Sequence, residues 1–156
     1  MISKKDMKQY IDLQAEVKEV DERIKKSKKK ISEIEKEIEK LKCDKKMFQD
    51  REEDFFDNDI LISEADVMIE NLILFKSLYI DRISTLNTLV EKISNQIREI
   101  REFEQSIDDF FIKQIFDLRI KQGYTWTIVS AKMGSVNSEE NLRSMFNRYL
   151  KKVGVV

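Results

Sequence analysis

A heptad repeat of apolar side chains runs through residues 10–48 and constrains the fold more than any other feature of the chain. The positions between its two apolar sets hold almost only charged residues and Gln. One set is Tyr10, Val17, Ile24, Ile31 and Ile38, and the other is Leu13, Val20, Ser27, Ile34, Leu41 and Phe48. Such spacing places all these side chains on one side of an α-helix, so it predicts a long coiled-coil helix with one polar position. The chain has 156 residues, no proline and three glycines, which also favours long helices over a sheet.

The repeat is interrupted at residues 50–63, DREEDFFDNDILIS. The run Asp57-Asn58-Asp59 is typical of a turn, and Ser63 is a favourable N-cap, so a second long helix is predicted over residues 64–104. This helix carries two apolar stripes. The first is Ala65, Leu72, Phe75, Tyr79, Leu86, Leu89, Ile93, Ile100 and Phe103, and the second is Ile69, Ile73, Ile80, Ile83, Val90 and Ile97.

Together the two stripes form a face wider than one helix partner covers. We therefore expect residues 1–104 to form an antiparallel helical hairpin, or coiled coil, in which one stripe packs on the first helix. The other stripe needs a further partner, and a second copy of the chain is the simplest one. A homodimer is the expected state, with packing of the second stripe on the C-terminal residues as the alternative.

Several classes of chemistry are disfavoured by what the chain lacks. It has no histidine and a single cysteine, Cys43, so we expect no zinc site, no cofactor, no intrachain disulfide and no enzymatic activity. The pairs Asp108-Asp109 and Glu139-Glu140 are better explained as helix starts than as catalytic carboxylates, because adjacent helical residues point about 100° apart. No secretory signal and no uncharged run of about 20 residues is present, which predicts a cytoplasmic protein without a membrane partner.

Residues 105–156 differ from the rest and are predicted to form a separate C-terminal module. They hold eight Lys/Arg and five Asp/Glu, a net charge of +3, whereas residues 1–104 have a net charge of −4. A helix over 107–122 is expected to end at Gly123, a short helix over 126–133 to be capped by Thr125 and ended by Gly134, and a last helix over 139–152 to be capped by Ser138. This order is that of a helix-turn-helix.

The last helix has an apolar side and a polar side. Leu142, Phe146 and Tyr149, or the neighbouring Met145 and Leu150, are the candidates for its buried side. Arg and Asn pair with base edges, and Ser and Lys reach phosphates, so double-stranded DNA is the predicted ligand. The candidate DNA-binding residues are Lys132, Ser138, Asn141, Arg143, Ser144, Asn147, Arg148, Lys151 and Lys152. The alternative is a small three-helix bundle with a solvated basic face.

The core of this module should contain Trp126, the only tryptophan of the chain. We expect its ring to be largely buried against the helix of 107–122. Phe111, Ile115 or Phe116 are the expected neighbours.

The C-terminal module resembles the sigma-factor region 4-like transcription regulators of phages and prophages of Gram-positive bacteria, of the RinA-like late-gene activator type. The positions that match the family pattern are Leu118, Arg119, Gly123, Thr125, Trp126, Val129 and Gly134, followed by a basic helix. Two features depart from it: Ser130 replaces the usual alanine, and the turn after Gly134 is longer. The resemblance covers about 50 residues and implies a nucleoid-associated regulator in a bacterial host cell.

Two other functions remain open at this stage. A phage-encoded factor could bind and inhibit a host protein through the coiled coil, with the acidic aromatic segment of residues 50–63 as a contact. A small terminase subunit also joins a helix-turn-helix to an oligomerising helical segment. Contact with RNA polymerase, the operator sequence and the sign of regulation are left open by the sequence.

Overall fold

The computed structural model of the chain describes residues 2–50 and 55–156, with side chains from residue 58 onward in the second range. Its elements are α1 (Lys4–Lys8), α2 (Tyr10–Gln49), α3 (Phe55–Gln105), α4 (Phe110–Phe116), a π-helical continuation of α4 (Asp117–Lys121), α5 (Trp126–Lys132) and α6 (Glu139–Lys152). Every regular element in these two ranges is helical, which confirms the predicted all-α class. None of the helices described is long and apolar enough to cross a membrane.

Helix α2 buries the side that the heptad repeat predicts. Every position of the two heptad sets is buried or half-buried, including the polar Ser27, which is 5% exposed. Lys45 Nζ lies 2.6 Å from Asp66 Oδ1, and Lys76 Nζ lies 3.1 Å from Glu35 Oε1. The order of these contacts reverses between the two helices, so the α2 and α3 stretches within residues 20–89 run antiparallel.

The chain divides into two compact units, Val20–Leu89 and Met1–Glu19 with Val90–Val156. This division does not coincide with the sequence boundary at residue 104. In the second unit, Met7, Tyr10 and Leu13 share one apolar core with Ile107 and Phe116. Both ends of the chain and the end of α3 thus contribute to a single core, which residues 105–156 do not build alone.

Helix α3 begins earlier than the sequence predicts, so the turn at Asp57-Asn58-Asp59 and the helix start at Ser63 are wrong. Residues 55–63 are helical and continuous with the rest of α3. Asn58 is 6% exposed and lies one heptad before Ala65, on the same side of the helix, and Ala65 is also buried. Burial along this inward side outweighs the local turn preference of Asp and Asn. Residues 51–54, the rest of the predicted break, lie outside the described residues.

The exposed apolar side of α3 is also not the predicted one. Most members of both predicted stripes are buried or half-buried, Phe75, Ile73, Ile80 and Leu89 being the exceptions. Met68 is exposed as well. One group of exposed apolar side chains, which we call the outer stripe of α3, consists of Ile60, Val67, Leu74, Phe75 and Leu78. Leu74 and Leu78 are each 64% exposed.

Helix α4 begins at Phe110 and not at Ile107 as predicted. The side chain of Asp109 accepts hydrogen bonds from the backbone N–H groups of Phe111 (2.9 Å) and Ile112 (3.2 Å), which makes it the N-cap. Ile107 is buried although it lies outside the helix. Asp109 is therefore a helix start, as predicted, and the four-residue link of residues 106–109 lets Ile107 reach the core.

Candidate nucleic-acid interface

The positions of α5 and α6 follow from local capping that the sequence predicts. Thr125 Oγ1 accepts a hydrogen bond from the N–H of Ile128, and Ser138 Oγ accepts one from the N–H of Asn141 at 3.2 Å. The bounds of α6, Glu139–Lys152, agree with the predicted helix. Glu139 and Glu140 lie in its first turn, where carboxylates interact favourably with the positive end of the helix dipole.

The turn between α5 and α6 is held by its own polar groups. Gly134 has a φ of 89° and Ser135 a φ of 56°, both in the left-handed region. The N–H of Ser135 donates to the carbonyl oxygen of Ser130 at 2.9 Å, and Ser130 Oγ donates to the carbonyl oxygen of Asn137 at 2.8 Å. The Ser130 side chain thus fixes the far end of the turn.

The buried side of α6 consists of Leu142, Phe146 and Leu150. Tyr149 and Met145 are half-buried at its edges. These side chains belong to the same apolar core as Val129 of α5 and Ile115 of α4. Burial raises the pKa of Tyr149, and the nearby carboxylates of Asp108 and Asp109 raise it further.

All nine candidate DNA-binding residues are exposed. Helical geometry places four of them along one strip of α6, namely Arg143, Ser144, Asn147 and Lys151. Asn141, Arg148 and Lys152 lie on the neighbouring strip, where the Arg148 guanidinium donates to the carbonyl oxygen of Ser144 at 3.4 Å. Ser138 is engaged as the N-cap, and its hydroxyl accepts from Asn141.

Lys132 is not brought to the same depression as the α6 residues. Its ammonium lies 4.9 Å above the ring of Tyr124, and it lines a depression with Phe110 and Met133. Arg143 and Asn147 line a different depression. The nine residues therefore form a group on α6 with Lys132 beside it on α5.

Trp126 packs against the apolar core, as predicted, but it is less completely buried than core residues such as Phe116. Its ring centroid lies 6.1 Å from that of Phe146 on α6. The guanidinium of Arg119 lies 5.3 Å from the Trp126 ring and that of Arg143 lies 5.9 Å from it. Cations at these distances interact favourably with the indole, which explains why the ring stays at the surface.

Three cations near α6 are missing from the predicted set. Lys4 and Lys8 of α1 line the same depression as Arg119, Arg143 and Asn147. Arg119 also donates from Nη1 to the carbonyl oxygen of Tyr124 at 2.9 Å. Nothing local in the sequence indicates that α1 packs near α6.

Exposed polar and cationic side chains thus cover the solvent side of α6, and the opposite side is anchored in the core. This arrangement can pair with an extended anionic surface and presents hydrogen-bond donors of the type that read base edges. Comparisons of the chain with protein-family models, with curated proteins and with solved structures found no match.

Proposed function

We propose that the chain is a DNA-binding transcription regulator of phage or prophage origin that reads double-stranded DNA with α6. In this proposal α5, the turn at Gly134 and α6 act as a helix-turn-helix. The observation that carries it is the polar side of α6, which is exposed while Leu142, Phe146 and Leu150 anchor the other side. A helix held in this way can enter the major groove without unpacking the core.

The roles of the α6 side chains follow from their chemistry and position. Asn141, Arg143, Ser144 and Asn147 face bases, since α6 enters the groove N-terminus first. Arg148, Lys151 and Lys152, in the second half of the helix, bind phosphates. Lys132 on α5 contacts the backbone beside the groove. The net charge of +3 on residues 105–156 is modest, so binding is moderate in strength and strongly dependent on salt.

The proposal includes a homodimer formed through the outer stripe of α3. The outer stripe is a row of exposed apolar side chains in the unit Val20–Leu89, and an exposed apolar patch is a typical mark of an interaction site. Charge favours a second copy in antiparallel orientation. Residues 57–70 hold five Asp/Glu and no Lys or Arg, whereas residues 71–84 hold two Lys/Arg and one Asp. A twofold axis places the acidic half of one α3 against the basic half of the other.

The experiment that tests the DNA-binding proposal is a binding measurement with fragments of the chain's own genome at low and moderate salt. We expect at least one fragment to bind more tightly than random DNA. Arg143→Ala should remove most of this discrimination, about 1–3 kcal/mol if the side chain pairs with a guanine. Lys151→Ala should weaken all sequences equally and reduce the slope of log K against log salt by about 0.9.

A matched control for these variants is Lys36→Ala, since Lys36 is exposed on α2 and removing it changes the net charge by the same amount as Lys151→Ala. Lys36→Ala should leave both discrimination and slope unchanged. Equal binding of every fragment and of random DNA, with no effect of Arg143→Ala, would contradict the proposal. In that case the exposed apolar side of α3 would favour the second candidate function, a factor that binds a host protein through its helices.

A further inference from the structure

A cleft beside α6 is lined by cations from three separate parts of the sequence. Lys4 and Lys8 come from α1, Arg119 from the π-helical segment, and Arg143 from α6. Asn147 and the half-buried ring of Trp126 also line it. No Asp or Glu is among the described side chains that line this cleft. All of its residues belong to the compact unit of Met1–Glu19 and Val90–Val156.

Helix α1 is fixed in its place and does not trail from the chain. Ser3 and Asp6 form a capping box, in which Ser3 Oγ accepts from the N–H of Asp6 and the Asp6 carboxylate accepts from the N–H of Ser3 at 2.9 Å. Met7 is 1% exposed and lies in the core. The N–H of Lys4 donates to the carbonyl oxygen of Val156 at 3.1 Å, which ties α1 to the other end of the chain.

The anchoring of α1 orients its lysines. Residues four apart lie on the same side of a helix, so Lys4 and Lys8 point together toward the cleft while Lys5 lies off that side and is exposed. On the opposite wall, the interaction of Arg119 and Arg143 with the Trp126 ring holds their guanidinium groups near the surface. Four positive charges therefore converge on one concave surface.

Converging like charges repel, and an anion in the cleft relieves this repulsion. Phosphate is the anion that suits this set, because guanidinium groups bind it through two parallel N–H donors and ammonium groups act on it as point charges. The cleft is continuous with the DNA-reading side of α6, since Arg143 and Asn147 belong to both. A phosphate bound here would thus lie directly beside the bases that α6 reads.

We propose that this cleft binds a backbone phosphate of the DNA strand flanking the groove that α6 enters, so that α1 is part of the DNA interface. This inference rests on the proposed function and extends it to the two lysines at the start of the chain. Lys4 and Lys8 supply charge and no base discrimination. Arg119 holds the Trp126 wall of the cleft and contributes to the same phosphate site.

The test compares Lys4→Ala/Lys8→Ala with Lys5→Ala/Lys36→Ala in the full-length chain. Both double variants remove two positive charges, and Lys5 and Lys36 do not line the cleft. We expect the first variant to bind both a preferred fragment and random DNA more weakly, with a slope of log K against log salt reduced by about 0.9 for each phosphate that it no longer neutralises. The second variant should keep the wild-type slope. Circular dichroism at matched concentration checks that α1 remains folded.

A second readout comes from Trp126, the only tryptophan, which lines the cleft. Its emission should change on addition of a short DNA duplex to the wild-type chain, and this change should be smaller in Lys4→Ala/Lys8→Ala. If the wild-type chain binds DNA but the two double variants have equal slopes, α1 is not part of the interface and the inference fails alone. If the wild-type chain binds no DNA, the proposed function and the inference both fail.

Discussion

At the scale of single residues, Gly123 and Gly134 form a natural comparison. Both have a positive φ, 71° and 89°, where a side chain is strained. A Cβ at Gly123 would lie 2.5 Å from Ile11 Cδ1, whereas a Cβ at Gly134 would meet nothing within 4 Å. We expect Gly134→Ala to lower the free energy of unfolding by about 1–2 kcal/mol from backbone strain alone. Gly123→Ala should cost more, because Ile11 must also move.

Urea unfolding followed by circular dichroism measures both variants. The steric clash can be separated from the strain with the double variant Ile11→Ala/Gly123→Ala. Its cost should be smaller than the sum of the two single costs, since Ile11→Ala removes the atom that the new Cβ would strike. Additive costs would show that the two side chains do not meet.

Phe116 and Trp126 provide a second comparison between residues. Phe116 is 0% exposed, whereas Trp126 is half-buried at the rim of the same core. We expect Phe116→Ala to cost about 3–5 kcal/mol, the usual range for a buried aromatic. Trp126→Ala should cost less, because only part of its apolar surface is removed from water. A larger loss of stability for Trp126→Ala, measured by urea unfolding, would contradict the observed burial.

The burial of individual residues could be predicted from the sequence in α2, where a heptad repeat determines which side of the helix is buried. It could not be predicted for residues outside such a repeat. The heptad repeat identifies the inward side of α2, including Ser27, because all its positions share one helix. Trp126 has no such repeat. Its exposure depends on Arg119 and Arg143, which lie 7 residues before it and 17 residues after it in the sequence and approach the ring only after folding.

At the scale of elements, α1 depends on the charge of Asp6. Hydrogen bonds from the hydroxyl and the N–H of Ser3 lower the pKa of Asp6 below its ordinary value of 3.8, and burial opposes this only in part. A carboxyl with a lowered pKa stabilises the folded state at pH above that ordinary value. The contribution is lost as the pH falls through the lower, folded-state pKa. We therefore expect α1 to lose protection selectively in acid.

The loss of protection of α1 in acid can be measured by amide hydrogen exchange of residues 4–8 between pH 6 and about pH 3. The rates must be corrected for the intrinsic pH dependence of exchange. Asp6→Asn should remove most of the pH dependence of α1. Asp21→Asn, at an exposed position of α2, is the matched control and should leave it unchanged. Identical pH profiles for wild type and Asp6→Asn would show that the capping box does not hold α1.

Element bounds were predictable where local capping residues set them. Thr125 and Ser138 were predicted as N-caps and are N-caps, and α6 has its predicted bounds. The start of α3 was not predictable in this way, because a buried side continues through Asp and Asn that locally favour a turn. The placement of α1 was missed entirely, since Met7 is buried by core residues more than 80 positions away in sequence.

At the scale of the whole molecule, the division into units also depends on packing between distant parts of the sequence. Composition and charge change near residue 104, and the sequence therefore predicts a boundary there. The compact units instead join residues 1–19 to residues 90–156, because the second core draws on α1 and on the start of α2. A C-terminal fragment beginning at residue 105 would lack Met7, Tyr10 and Leu13, so the full chain is the appropriate material for binding experiments.

The dimer is the remaining prediction at this scale, and it depends on the outer stripe of α3. Leu74 and Leu78 lie in the C-terminal part of the stripe and are each 64% exposed, so a second copy packed along the stripe would bury both. We expect Leu74→Glu/Leu78→Glu to convert a dimer into a monomer in light scattering at micromolar concentration. A charge at each of these positions would be unpaired in an apolar contact.

The matched control is Ile73→Glu/Ile80→Glu, which changes two exposed isoleucines of the same helix that lie about 100–160° around it from Leu74 and Leu78. This control should remain a dimer. The pair of variants also separates dimerisation from DNA reading. The monomeric Leu74→Glu/Leu78→Glu variant should still bind a single half-site through α6. It should no longer prefer two half-sites related by twofold symmetry, whereas the control should keep that preference. A wild-type chain that scatters as a single copy at micromolar concentration would contradict the dimer. The outer stripe would then be a contact for a different protein.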